Sequence, residues 1–175
     1  MDRHASEATR PKPPLNLIKA AKARGIRGTC EVTPHHLTLS ETLVMGTIED
    51  SFVPLPRNAY DTNAKVNPPL RNQNDVRSMV EGLQNGTIDV IATDHAPHNQ
   101  VDKTTTFQDA AFGISVLETA FGSLMTLVEN GHIDITTLIK KLTADPAKFL
   151  GMPIGSLEKG HNADITVFDP SETWI

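Results

Sequence analysis

The stretch Ile88-Asp89-Val90-Ile91-Ala92-Thr93-Asp94-His95-Ala96-Pro97-His98 decides how the rest of the chain reads. Its apolar, β-branched start predicts a buried strand. Pro97 then stops regular pairing. A carboxylate and two imidazoles therefore sit at the carboxyl end of a strand. In parallel α/β barrels that end carries the catalytic groups. Asp94 there reads either as the cap of the following turn or as a group serving a metal or a proton. His98 favours the second reading, because a turn has no need of an imidazole. His95 directly follows Asp94, and successive strand-end residues face opposite ways. It reads as a structural histidine bonded to backbone.

Outward from this stretch the chain alternates. Residues 1–14 are polar, end in Pro11-Lys12-Pro13-Pro14 and form an irregular lead-in. Leu15 to Arg24 has a helical apolar face and stops at Gly25. Thr29-Cys30-Glu31-Val32-Thr33 is strand-like, and Pro34 ends it. Residues 40–66 are a long connection of the length that active-site loops have. Asn74-Asp75 caps a helix running from Val76 to Gln84. After the central stretch, residues 99–111 are polar and loop-like. Helices are expected over Ile114–Glu129 and Ile135–Leu142, with a short one from Asp145-Pro146 to Leu150. Ala163 to Asp169 reads as a closing strand. The pattern is α/β with parallel strands. Two parallel strands before the helical run leave sheet faces and edges uncovered, so the pattern predicts a piece of a larger fold or one completed by association.

Several other residues carry two readings. His35 and His36 follow Pro34; they read as metal-binding, or as one packed and one exposed. Asn67 is held by two following prolines and offers a fixed amide to a polar ligand, or is simply a loop-to-helix turn. Phe112-Gly113 precedes a predicted helix and offers backbone groups to a ligand, or merely starts that helix. Cys30 lies in a strand and reads as packed rather than reactive.

Composition bounds the function. The chain has 175 residues, 38% apolar and 21% charged, which excludes a disordered or fibrous protein. A net charge of -5 argues against a general nucleic-acid binder. The lone cysteine cannot form an internal disulfide, so a cytoplasmic home is the simplest expectation. No run is apolar and long enough to cross a bilayer, and the first residues lack the apolar core of a secretory signal.

Three segments in order go beyond spacing: Thr29-Cys30-Glu31-Val32-Thr33-Pro34-His35-His36-Leu37, Lys65-Val66-Asn67-Pro68-Pro69-Leu70-Arg71 and Asp89 to His98. With Phe112-Gly113-Ile114, Glu118-Thr119-Ala120 and Gly160-His161-Asn162-Ala163-Asp164-Ile165, they closely resemble the dihydroorotases of the amidohydrolase superfamily. The resemblance implies a (β/α)8 TIM barrel with a small β domain. It implies zinc as the cofactor, and the interconversion of dihydroorotate and N-carbamoyl-aspartate in pyrimidine biosynthesis. By motif position it implies that Asp94 is metal ligand and catalytic base or acid. It makes Asn67, His98, Phe112 and Gly113 substrate-binding residues. A charged His98 would hold the substrate carboxylate, which argues against a hydantoinase or dihydropyrimidinase acting on a ring without one.

The family's metal site also needs a His-X-His pair and further ligands from earlier strands. None is present, and Ala8 falls near the expected position of one of those histidines. The expectation is therefore the C-terminal part of a dihydroorotase: the last two barrel strands and helices within 15–152, then a β-domain segment over 153–175 with one terminal strand. Alone it would be inactive, since a catalytic zinc takes three or more protein ligands. The alternatives are a non-catalytic partner subunit and a fragment of an allantoinase or hydantoinase. Expected partners are the small-molecule substrate, the missing N-terminal half, a second copy or aspartate transcarbamoylase; nucleic acid and membrane are not expected.

Overall fold

The computed structural model describes residues 14–46 and 59–172. Most of the expected lead-in and the middle of the long connection lie outside the described residues. The elements are α1 (Pro14–Ala23), β1 (Glu31–Val32), α2 (Pro34–Thr38), α3 (Thr42–Met45), a 3-10 turn at Thr62–Ala64 and α4 (Gln73–Gln84). There follow β2 (Val90–Ile91), α5 (Gln100–Lys103), α6 (Ala120–Glu129), α7 (Ile135–Leu142) and α8 (Ala144–Leu150).

β1 and β2 pair in parallel, Glu31 opposite Val90 and Val32 opposite Ile91. The crossover between them contains α4, as a parallel pair requires. Helices cover the pair through one apolar core. Leu37 of α2, Val80 and Leu83 of α4, Leu124 and Leu127 of α6 and Leu138 of α7 meet Val32, Ile88 and Ile91 there. A smaller cluster of Leu43, Ala64, Val66 and Leu70 sits under the loops. Gly82 lets α1 approach α4, since a Cβ there would come within 2.6 Å of Leu15.

Four expectations are corrected. α4 starts at Gln73 because Asn72, not Asn74-Asp75, is the cap; its side chain accepts the Asp75 N–H at 3.1 Å. α6 begins at Ala120 rather than Ile114. Ile114 instead forms a parallel bridge with His95, and the Val116 and Leu117 amides donate to the His95 ring, so they are not free for helix. A helical turn, α5, forms within the polar segment, capped by Asn99. The expected terminal strand over 163–169 does not form. That segment is exposed and has no ladder partner among the described residues. It is anchored by Phe168, whose ring meets Phe121 of α6 edge-on at 4.9 Å.

The amino end of β2 is a structural knot. Asp89 accepts from Lys22 at 2.5 Å and from the Cys30 N–H at 2.8 Å. Lys141 donates to the Ile88 and Asp89 carbonyls at 2.9 and 3.0 Å and pairs with Asp145 at 3.1 Å. Burial would raise the Asp89 carboxyl, but the Lys22 and Cys30 hydrogen bonds and the two lysine charges win, and it lies below its ordinary 3.8. A depressed carboxyl stabilises the fold above its unfolded value and stops doing so as pH falls through the folded value. Asp89→Asn is expected to cost about 1–3 kcal/mol at neutral pH by leaving Lys22 and the Cys30 amide poorly paired. It should also flatten the acid loss of helical signal below pH 3.8, followed by circular dichroism against pH.

Candidate active site

Parallel pairing places the carboxyl ends of both strands together. β1 runs into Thr33, whose hydroxyl caps α2, with Pro34 in its first turn. This short helix was not anticipated; it carries His35 and His36. β2 runs into Asp94, whose φ of 50° lies in the left-handed region. For a non-glycine residue that conformation is uncommon and costs about 1–3 kcal/mol, and such residues cluster at functional sites.

The two strand ends touch: His35 Nε2 lies 4.0 Å from an Asp94 carboxylate oxygen. The His35 side chain is 1% exposed while that of Asp94 is 52% exposed, so one is core and the other faces solvent. Neither ring nitrogen of His35 has a hydrogen-bond partner among the described residues. Burial, and then the neighbouring His36, push the His35 ring down to about 4 against the pull of Asp94, so it is neutral at physiological pH. A buried imidazole with both nitrogens unsatisfied is costly, and it sits against the one carboxylate the sequence singles out.

His36 is satisfied. Its Nε2 is 3.0 Å from the Pro68 carbonyl, which can only accept, so Nε2 carries the proton. The Thr33 hydroxyl, 2.7 Å from Nδ1, then donates to it. Burial lowers the His36 pKa, opposed by the Pro68 carbonyl and by Asp94. The pair thus divides as one of the two readings has it, one packed and one partly exposed, except that the packed one is the orphan.

The Pro68 contact positions Asn67. Its segment is tied at Pro68 to His36 and at Lys65, whose carbonyl accepts the Gly113 N–H at 2.9 Å. Asn67 itself is exposed between these two anchors. His98 Nε2 lies 2.9 Å from the Phe112 carbonyl, so that nitrogen donates and Nδ1 is left for another partner. Gly113, at φ 139°, lets the loop close on the strand end, where a Cβ would lie 2.6 Å from Ala96 and 3.2 Å from His98. A cavity of about 260 Å³ is lined by His98, Gly113, Lys103, Ala96, Asn63 and Leu43, among others. Neither His35 nor Asp94 lines it. His95 is structural as expected: its Nδ1 accepts from the Val116 and Leu117 amides, both at 3.1 Å. Burial raises the Cys30 thiol, which fits a packed rather than a reactive residue.

One correction concerns Phe112-Gly113. They do not start a helix, and most of their polar backbone is already engaged. Phe112 N–H alone is left without a partner among the described residues. Reading the sequence assigned no role to Lys65 or Lys103, whose ammonium groups bind the carbonyls of this loop. A lysine set within Ala64-Lys65-Val66 is the signal that could have found the first.

No group of three histidine, cysteine, aspartate or glutamate side chains able to hold a metal occurs among the described residues. The chain offers Asp94 as one donor, with an unpartnered imidazole beside it; this is part of a metal site rather than a whole one.

The amidohydrolase family model matches residues 16–174, and the chain belongs to that family. Membership implies a metal cofactor. The chain is 44% identical over 161 residues to the dihydroorotase of Syntrophus aciditrophicus, covering 92% of this chain and 35% of that protein. It is 48% identical over 157 residues to the dihydroorotase of Pelotomaculum thermopropionicum, covering 89% and 34%. The chain thus spans about a third of the length of the curated relatives it matches. Among solved structures, it resembles the L-hydantoinase of Arthrobacter aurescens with a TM-score of 0.69 and 28% identity, over 85% of this chain and 32% of that one. The dihydropyrimidinase of Brevibacillus agri shares the fold, with a TM-score of 0.71, 22% identity and the same coverages of 85% and 32%. The two-stranded parallel unit described above corresponds to part of those barrels.

Gly113→Ala is expected to force the loop off the strand end and to break the His98–Phe112 contact. Limited trypsin digestion, scored as cleavage after Lys103, should speed up several-fold. Gly122→Ala, where an added Cβ meets open space within α6, should leave the rate unchanged.

Proposed function

We propose that this chain is the C-terminal portion of a dihydroorotase-type cyclic amidohydrolase. The reaction is hydrolysis of the ring amide of dihydroorotate to N-carbamoyl-aspartate, and its reverse, within pyrimidine biosynthesis in the cytoplasm. The observation that carries the reading is Asp94: an exposed carboxylate in left-handed backbone at a strand end, backed by the buried His35. No helix among the described residues is long and apolar enough to span a membrane, in keeping with that reading.

Asp94 has two duties here. It would be one ligand of the metal, proposed to be zinc, and the other ligands would come from the rest of the barrel. The ion, when bound, makes water a usable nucleophile near neutral pH. Asp94 accepts the proton of the attacking water as the new C–O bond forms at the ring carbonyl. It returns that proton to the ring nitrogen as the C–N bond breaks, so the proton count closes. His98 uses Nε2 on the Phe112 carbonyl, and its Nδ1 edge, when protonated, meets the substrate carboxylate. Asn67 and the Phe112 N–H supply the remaining polar contacts.

The likeness to L-hydantoinase supports a second reading, a ring substrate lacking that carboxylate; His98 favours the first.

The test is turnover by the chain alone and by the chain co-expressed with the N-terminal two-thirds of the Syntrophus relative. No turnover of dihydroorotate is expected alone. The completed protein should turn it over, and Asp94→Asn should remove about two to four orders of magnitude in kcat. Turnover of hydantoin with none of dihydroorotate would move the assignment to the second reading. Full activity in Asp94→Asn would end the role given to that residue.

A further inference from the structure

The loop that carries Phe112 and Gly113 closes one turn of its own, where the Asp109 and Ala110 N–H groups donate to the Thr106 carbonyl at 3.1 and 2.9 Å, and its Ala111 N–H donates to the Asp102 carbonyl at 3.2 Å. Its sequence, Thr104-Thr105-Thr106-Phe107-Gln108-Asp109-Ala110-Ala111-Phe112-Gly113, forms no regular element. Beyond that turn, its carbonyls are held by a pair of ammonium groups. Lys65 is 7% exposed. Its Nζ donates to the Gln108 carbonyl at 2.8 Å and the Ala110 carbonyl at 2.7 Å, and lies 4.2 Å from the centre of the Phe112 ring. Lys103 donates to the carbonyls of Thr62 at 3.1 Å, Ala111 at 2.8 Å and Gly113 at 2.7 Å. An ammonium has three N–H groups and no acceptor. Lys103 meets three carbonyls; Lys65 meets two carbonyls and the negative face of a ring. Both complements are full.

The result is a specific presentation of the loop. The Ala111 and Gly113 carbonyls go to Lys103 and the Phe112 carbonyl faces His98. The Gly113 N–H goes to the Lys65 carbonyl. Three successive carbonyls are thus drawn to side chains, and the Phe112 N–H is left as the donor without a partner among the described residues. A ligand approaching here meets a hydrogen-bond donor beside an imidazole, with the competing acceptors withdrawn. That environment suits an oxygen acceptor of a small anion or amide.

We infer that Lys65 and Lys103 are positioning residues that set this loop for substrate, turning the Phe112 N–H outward and fixing His98. The inference rests on the proposed function for the identity of the substrate, but the ordering of the loop can be measured without it. Amide hydrogen exchange and the ring-nitrogen signals of His98 are read on the full 175-residue chain, in the parent, Lys103→Met and Lys65→Met. In the parent, the Ala111 and Gly113 amides should be protected. In Lys103→Met they should exchange at least tenfold faster and the His98 Nε2 signal should move, while amides of α4 and α6 keep their rates. Lys103 is on the loop side of the fold, so this variant keeps the test meaningful if Lys65→Met does not fold.

The inference is overturned if the parent loop is unprotected, if Lys103→Met leaves loop exchange and the His98 signal unchanged, or if the loss spreads equally to α4 and α6. In the completed enzyme, Lys103→Met should raise KM for dihydroorotate at least tenfold with kcat within threefold; a fall in kcat alone would equally overturn it. A completed parent without turnover would count against the proposed function, and the exchange result would still decide the loop.

Discussion

Parallel pairing of β1 with β2 is the constraint from which the rest follows. A parallel pair puts both amino ends on one side and both carboxyl ends on the other. Each strand is only two residues long, yet the register Val32–Ile91 is enough to bring His35 and Asp94 within 4.0 Å. The opposite end gathers Lys22, Asp89, Lys141 and Asp145 into mutually satisfied ion pairs. The chemistry of the two ends differs accordingly. Where the pairs are complete the residues hold helices to strands. Where a buried group is left unpaired, next to a strained aspartate, the fold carries a cost that stability alone does not explain.

The strands and most helices were legible because their signals are local. The β-branched run before Asp94, and the apolar face and glycine stop of α1, act within a few residues. Two expectations failed on contacts distant in sequence, whereas the Asn72 and Asn99 caps are local. Ile114 to Thr119 has a helical composition, but His95, some twenty residues earlier, takes the Val116 and Leu117 amides and delays the helix. Ala163 to Asp169 has a strand composition, but a strand is defined by a partner, and none lies beside it among the described residues. α2 was hidden because Pro34 reads equally well as the end of a strand or as the first turn of a helix.

The site divides the same way. Asp94 and His98 could be picked out because a carboxylate and an imidazole past a buried strand have few bland uses. His35 could not be separated from His36 by spacing, since adjacent residues differ only in which way the backbone turns them. The helix that begins at Pro34 makes that decision, sending His35 into the core and His36 onto Thr33 and the Pro68 carbonyl. Apart from the place of Lys65 between Ala64 and Val66, nothing local marks it or Lys103. Their partners are main-chain carbonyls, which leave no mark in the sequence.

Histidines 95 and 98 illustrate how the same side chain is assigned different work by one ring nitrogen. In His95, Nδ1 accepts two amides, so the ring closes a gap between a strand end and an incoming segment. In His98, Nε2 donates to a carbonyl and the other edge stays available beside the cavity. The first is spent on the fold; under the proposed function the second is held by the fold for a ligand. Under the proposed function this explains the chain's asymmetry. Among the described residues it offers a metal Asp94 as a charged ligand, yet its recognition elements are tied to one another: Asn67 through Pro68 to His36, Gly113 to Lys65, and Phe112 to His98. A metal site is made by converging single ligands from many strands, so a third of a barrel holds a fraction of it. A recognition loop is made by contacts between neighbouring strand ends, so the same third can hold most of it.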